Sequence, residues 1–268
     1  ALVGNPSMTP ARTESYEYAL NIQLNRNIAF NLGAWVKNMD QLTSMQKYRS
    51  GTQDYWVMKN YDFGRAQGID FMLQTRGLPV NLNMQYTWSE AKSNEEHDWS
   101  RLGVAVTDAP AEEYLMSYDR THDLSLTLST FMPGGIIVSM TSQYQTGAPY
   151  TPLEQAAPGS NIIQESEFKN SVRMPDWYQT NMSFSKYMKF GNSKVSLGVS
   201  IYNLFDRRNA IDIFRLTGSP REAGDYYDQF VGLPNTGLNK VFSQSYYDTP
   251  WNESSAREIN AFIRVDFN

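Results

Sequence analysis

From Val80 to Ser89 the chain reads Val-Asn-Leu-Asn-Met-Gln-Tyr-Thr-Trp-Ser, with apolar and polar residues alternating without a break. Side chains of a β-strand point to opposite faces with period two. Val80, Leu82, Met84, Tyr86 and Trp88 therefore share one face. Asn81, Asn83, Gln85, Thr87 and Ser89 share the other. A helix would scatter both sets around its axis, so the pattern demands a strand with two unlike sides.

The pattern recurs along the chain. Tyr16, Tyr18, Leu20, Ile22 and Leu24 alternate with polar neighbours, as do Ile28, Phe30, Leu32, Ala34 and Val36. The same alternation marks 69–74, 123–129, 136–145, 178–184, 195–201 and 259–267, for about nine strands in all. Their connections are of two kinds. Asn25-Arg26-Asn27, Gly77-Leu78-Pro79, Met132-Pro133-Gly134-Gly135 and Gly191-Asn192-Ser193 are short and rich in turn formers. The segments near 40–56, 91–117, 146–176 and 206–257 read as long loops. Short and long alternate, which puts all short turns on one side of an up-and-down sheet. Outer-membrane barrels are built this way, with short periplasmic turns and long extracellular loops.

Soluble sandwiches and propellers also alternate apolar with polar residues. They do not segregate loop lengths so strictly, nor set Asn, Gln, Ser and Thr opposite the apolar face strand after strand. Hydrophobic residues are 41% of the 268, and no run approaches the roughly 20 apolar residues of a membrane helix. A barrel strand needs apolar residues only at alternate positions. The 17 Tyr, 13 Phe and 6 Trp suit interface girdles, with Tyr86, Trp88 and Tyr144 at the loop ends and Phe30 and Phe131 near short turns. There is no cysteine, hence no disulfide framework or thiolate metal site. A net charge of -5 argues against nucleic acid as a partner. Ala1-Leu2-Val3-Gly4 does not read as a signal peptide.

The last strand follows a long loop, so it runs toward the short-turn side, and counting back gives an odd number. Closed bacterial barrels usually have an even number. An open edge in a bilayer leaves backbone groups unpaired at several kcal/mol each. The expectation is an incomplete barrel, completed by an upstream part of the same protein or by another chain.

Several stretches resemble TonB-dependent outer-membrane receptors, in family order. Gly4-Asn5-Pro6 through Thr13, Tyr16 and Glu17 resembles the segment leading into their later barrel strands. Tyr118-Asp119-Arg120-Thr121-His122-Asp123-Leu124, Thr146-Gly147-Ala148-Pro149-Tyr150-Thr151-Pro152, Arg173-Met174-Pro175-Asp176-Trp177-Tyr178 with Ser185-Lys186, and Asn203-Leu204-Phe205-Asp206 follow. Phe267 resembles the aromatic signature read by barrel-assembly machinery. The likeness is nearest to Oar-like receptors, which carry a carboxypeptidase-regulatory-like N-terminal domain. Ala11 stands where the family usually has Glu, Ala256-Arg257 replaces Pro-Arg, and Asn268 follows Phe267. The resemblance implies an all-β transmembrane antiparallel barrel of about 22 strands. Residues 1–268 would be its C-terminal portion, with the plug and earlier strands outside them. It implies uptake of an unidentified ligand, or alternatively an anchor in a larger outer-membrane assembly. The implied partners are the outer-membrane bilayer, the rest of the barrel and plug, the TonB complex through that plug, and surface lipoproteins or other envelope proteins.

Chemistry-bearing residues are few. Glu95, Glu96, His97 and Asp98 could ligate a divalent ion, but four consecutive ligands in a polar loop read first as a solvated acidic stretch. His122 beside Asp123 has no identifiable nucleophile and is expected to cap its strand or hydrogen-bond near the interface. Glu112-Glu113-Tyr114 and Asp225-Tyr226-Tyr227-Asp228 mix acids with aromatics in loops that could meet sugars, peptides or cations. Gly232-Leu233-Pro234-Asn235-Thr236-Gly237 reads as a turn and no phosphate loop is present. The sequence assigns no catalytic residue, metal ligand or cofactor. A small self-closed barrel hydrolase would need an even strand count and an acid/base pair, and neither is found.

Overall fold

A computed structural model describes residues 2–94, 113–155, 163–191, 193–222 and 250–267. The strands are β1 (Leu2–Val3), β2 (Arg12–Gln23), β3 (Ile28–Ser50), β4 (Gln53–Thr75), β5 (Val80–Ser93), β6 (Tyr114–Leu115), β7 (His122–Met132) and β8 (Ile136–Gln145). They continue with β9 (Pro149–Tyr150), β10 (Leu153–Gln155), β11 (Ile163–Glu165), β12 (Val172–Arg173), β13 (Trp177–Phe190), β14 (Ser193–Tyr202) and β15 (Glu258–Phe267). Among the described residues, β2, β3, β4, β5, β7, β8, β13, β14 and β15 lie side by side in chain order. Every neighbouring pair is antiparallel. These are the nine strands the alternation predicts. The sheet does not close: among the described residues β2 and β15 each pair on one side only.

The register carries the two-faced pattern across the whole sheet. Leu20 sits opposite Leu32, Leu32 opposite Phe71, and Phe71 opposite Tyr86. The row goes on through Leu124, Tyr144 and Tyr178. A second row joins Leu82, Leu128, Met140, Met182, Ile201 and Ile259. Opposed residues of a ladder share a face, so the apolar side is continuous.

That side is not a core. Ile69 and Leu197, both flanked by neighbouring strands, are 46% and 40% exposed. The one buried hydrophobic residue among those described is Ile213, while Asp62, Asp119, Asn203, Asn209 and Asn252 are buried. Leaving a large aliphatic side chain in water forgoes about 1.5–3 kcal/mol. A face carrying such residues in row after row is stable only against an apolar medium. Even its hydroxyls pair with each other: Ser142 and Thr180, opposed on this face, are 2.9 Å apart.

Three expectations need correction. The segment 40–56 is not a loop. β3 runs on to Ser50 and β4 begins at Gln53, making a tall hairpin that rises past its neighbours, since β2 starts at Arg12 opposite Asp40 and β5 ends at Ser93 opposite Gly64. Register shifts between Met39 and Thr43, where Gln41 takes a φ of 58°, break the alternation that sequence reading follows. Residues 2–9 brace this hairpin: β1 runs parallel to Trp56 and Val57, and Asn5 Nδ2 donates to the Met58 carbonyl at 3.0 Å. The segment 146–176 holds two small ladders, β9 with β12 and β10 with β11. Phe131 is not an outward girdle residue. It is opposed to Ile137, which is opposed in turn to Ser185, on the polar side, with its ring 5.8 Å from Tyr187.

Candidate functional site: a polar wall and a loop-side collar

The face opposite the apolar one is a wall of amides, hydroxyls and carboxylates. Asn21, Asn31, Met72, Gln85, Ser125, Gln143 and Gln179 form one row. Ala19, Gly33, Asp70, Thr87, Asp123 and Gln145 form the next. The wall is cross-linked laterally. Asp70 accepts from Trp35 Nε1 at 2.9 Å and from Thr87 Oγ1 at 2.6 Å. Gln145 Nε2 donates to Asp123 at 2.8 Å, and Ser139 and Ser183 are 2.7 Å apart. Gly68 lets Trp35 lie flat on the wall, because a Cβ there would stand 2.6 Å from the indole and 2.9 Å from the Trp88 carbonyl.

At the loop end, motifs far apart in sequence meet. The Asp119 carboxylate is almost fully buried and accepts from the Ala91 amide at 2.7 Å. Arg173 Nη2 reaches it at 2.6 Å and donates to Thr121 Oγ1 at 2.7 Å, while Nη1 donates to the Gly147 carbonyl at 2.9 Å. Asp176 accepts from the Gly147 amide at 3.0 Å and from the Tyr144 hydroxyl at 2.8 Å. No other residue fits at Gly147, since a Cβ would fall 1.7 Å from the Met174 carbonyl oxygen.

The same tying continues over β13 and β14. Asn209 is buried, accepts from the Tyr178 amide at 3.1 Å and donates to the Tyr178 carbonyl at 2.9 Å. Its own amide and carbonyl bond to Ser254. Arg207 stacks its guanidinium 3.7 Å from the Tyr178 ring and donates to the Asp176 carbonyl at 3.1 Å. Asn203, at φ 54°, donates to the Arg207 and Ser255 carbonyls and accepts from the Arg207 amide. Outside the spanning strands, Arg215 clamps the Thr151 carbonyl at 2.8 Å and Glu165 at 2.9 Å. Burial raises the Tyr150 phenol above its ordinary value, and the Arg215 charge opposes this. Buried polar groups are tolerable when each is satisfied in this way.

Of the residues singled out from sequence, His122 begins β7 and its Nδ1 lies 2.8 Å from the Tyr86 hydroxyl. Asp123 belongs to the polar wall, Glu113 pairs with Arg65 at 3.5 Å, and Tyr114 lies under Lys169 at 5.2 Å. Glu95, Glu96, His97, Asp98, Glu112, the Asp225–Asp228 stretch and Gly232–Gly237 lie outside the described residues. No group of three or more metal-ligating side chains occurs among the described residues. Sequence reading missed the Trp35–Asp70–Thr87 triangle, although a carboxylate in mid-strand on the polar face is its visible signal. It also took Asp119, Gly147, Arg173 and Asp176 as motif markers without seeing that they touch.

No model of a known protein family matches the sequence, and no curated protein matches it. Solved structures do. The pyoverdine outer-membrane receptor FpvA of Pseudomonas aeruginosa is 12% identical over 79% of this chain and 28% of its own, with a TM-score of 0.53. The FrpB iron transporter of Neisseria meningitidis is 10% identical over 78% of this chain and 29% of its own, at 0.51. The ferric-catecholate import receptor Fiu of Escherichia coli is 15% identical over 77% and 25%, at 0.50. The chain therefore spans between a quarter and a third of the structures it matches. Identity this low speaks for architecture alone: the chain has the fold of a barrel segment of the TonB-dependent outer-membrane receptors.

Proposed function

We propose that residues 1–268 are the closing portion of an outer-membrane receptor barrel that takes up a ligand with the help of TonB. One observation carries the reading. The sheet is inverted, with an apolar face exposed across nine strands and a hydrogen-bonded polar face behind it. In this reading the apolar face meets lipid, the polar wall lines the lumen around a plug, and the collar holds the extracellular loops. Short turns lie toward the periplasm. The chain is a transporter part, not an enzyme.

The ligand is unidentified. FpvA was solved with pyoverdine, and Fiu is described as a ferric-catecholate importer. Iron chelates are accordingly the first to test. Cells carrying the full-length gene product would be given radiolabelled ferric chelates, with TonB present or deleted. Uptake of at least one chelate that is lost with TonB supports the reading. A full-length protein that does not insert into outer membranes would overturn it. Insertion without TonB-linked uptake of any chelate would remove iron as the cargo.

A further inference from the structure

The short-turn end of the sheet is cationic. Within five residues of the four short turns, and over the last five residues of β15, the charged residues are Arg26, Arg76, Lys186, Lys189, Lys194, Arg264 and Asp266. The chain as a whole carries a net charge of -5, so this excess of cations runs against composition. Lys186 is opposed to Ile136 and Leu197 on the apolar face. Arg26 and Arg76 sit in turns that Asn27 ties together, its Nδ2 donating to the Arg76 carbonyl at 2.7 Å.

The other three cations gather on the polar wall. Lys189 is two residues beyond Tyr187 on β13, hence on its face, and is opposed to Lys194. Lys194 Nζ lies 4.7 Å from the centre of the Tyr187 ring, whose other neighbour on this side is Phe131. Arg264 is opposed to Ser196, which is opposed to Tyr187, so it stands one row above the lysines. Asp266, opposed to Lys194, is the acid beside them. All four charged residues are exposed. None of the three cations has an ion-pair partner among the described residues. Like charges set directly across a ladder are destabilising. The Lys189–Lys194 pair therefore calls for anions from outside the sheet.

We propose that Lys189, Lys194 and Arg264 hold an acidic segment of the same protein, one lying outside residues 1–268, against the polar side of β13–β15. Carboxylates two residues apart in an extended segment, about 7 Å, match the step from the lysine row to the Arg264 row. The face decides against lipid phosphates, which would meet the other side of the sheet. Magnitude decides against a freely diffusing peptide. An exposed ion pair contributes at most about a fivefold factor, so three give roughly a hundredfold. That does not retain a free peptide. A segment tethered within the lumen starts from an effective concentration on the order of millimolar, and the same factor then decides where it rests.

The inference rests on the reading of residues 1–268 as one portion of a larger barrel protein, and the test separates the two. A heat-modifiable band on gels of outer membranes carrying the full-length protein first reports a folded, inserted barrel. The membranes are then treated with a carbodiimide, which joins an amine to a carboxylate without a spacer, and digested for mass spectrometry. Lys189 and Lys194 are expected to couple to Asp or Glu of the same polypeptide outside residues 1–268. Coupling to Asp266 alone, to a separate protein or to nothing would overturn the proposal while leaving the membrane reading intact. The triple variant Lys189→Gln, Lys194→Gln, Arg264→Gln should raise hydrogen exchange in the coupled segment at least tenfold. Where the triple variant loses the band, Lys189→Gln alone should raise it about fivefold. The control Arg26→Gln with Arg76→Gln should leave exchange within twofold of the parent. Wall variants within twofold of the parent, or a control that moves as far as they do, would also overturn the proposal. Absence of the band in the parent would overturn both.

Discussion

Arg173→Met isolates the collar's most consequential contact. The substitution keeps the length of the stem and removes the guanidinium. Asp119 then remains buried as a carboxylate with only the Ala91 amide and the Thr121 hydroxyl as donors. Breaking a buried pair by deleting one partner costs about 3–5 kcal/mol. Arg173 keeps a quarter of its side chain in solvent, so the lower end, about 3 kcal/mol, applies. Each 1.4 kcal/mol is a factor of ten, so local opening should become about 100-fold more frequent. Hydrogen exchange on the full-length protein in detergent or nanodiscs reads this at the amides the collar holds: Ala91 on Asp119, Ser89 on the Thr121 carbonyl and Met116 on the Ala91 carbonyl. Amides of Leu126 and Leu128 in mid-strand should not change. Adding Asp119→Asn restores a neutral acceptor for the Ala91 amide, and the double variant should recover most of the protection. Exchange in Arg173→Met within threefold of the parent would refute the argument. So would a double variant no better than the single one, because the cost would then not come from a stranded charge.

Gly147→Ala drives a methyl into the Met174 carbonyl, and its Cβ has only backbone to push against; proteolysis within 146–176 should rise sharply while the membrane strands stay protected. Leu126→Arg on the apolar face should cost about 2–4 kcal/mol in bilayer-folding titrations, and Ser125→Arg on the polar wall far less. Equal costs would refute the face assignment. Tyr150 holds its proton more tightly folded than unfolded. Stability at β9 is therefore unaffected well below pH 10 and falls as pH rises through 10, where only the unfolded chain ionises. Tyr150→Phe should remove that part of the alkaline loss of exchange protection at β9.

The nine strands were legible because each lies in a medium that selects one face, and selection at every second residue writes itself into the sequence. The hairpin top at 41–52 was illegible for the complementary reason. Beyond its neighbours' ends nothing separates the two faces, and the register shifts at Met39–Thr43 reset the parity a period-two reading depends on. The collar was hidden by distance along the chain. Asp119 and Arg173 are 54 residues apart, and Asn209 and Ser254 are 45 apart. Local pattern cannot pair them, though each stands inside or beside a motif that the resemblance picked out.

The collar also bears on how such a chain can diversify. The bonds described for it all join residues outside 95–112, 156–162 and 223–249. The sequences of those segments can be exchanged, lengthened or recombined with related genes while Asp119, Gly147, Arg173 and Asn209 keep the junctions shut. Loop sequence can then vary while the ladders and their junctions stay unaltered.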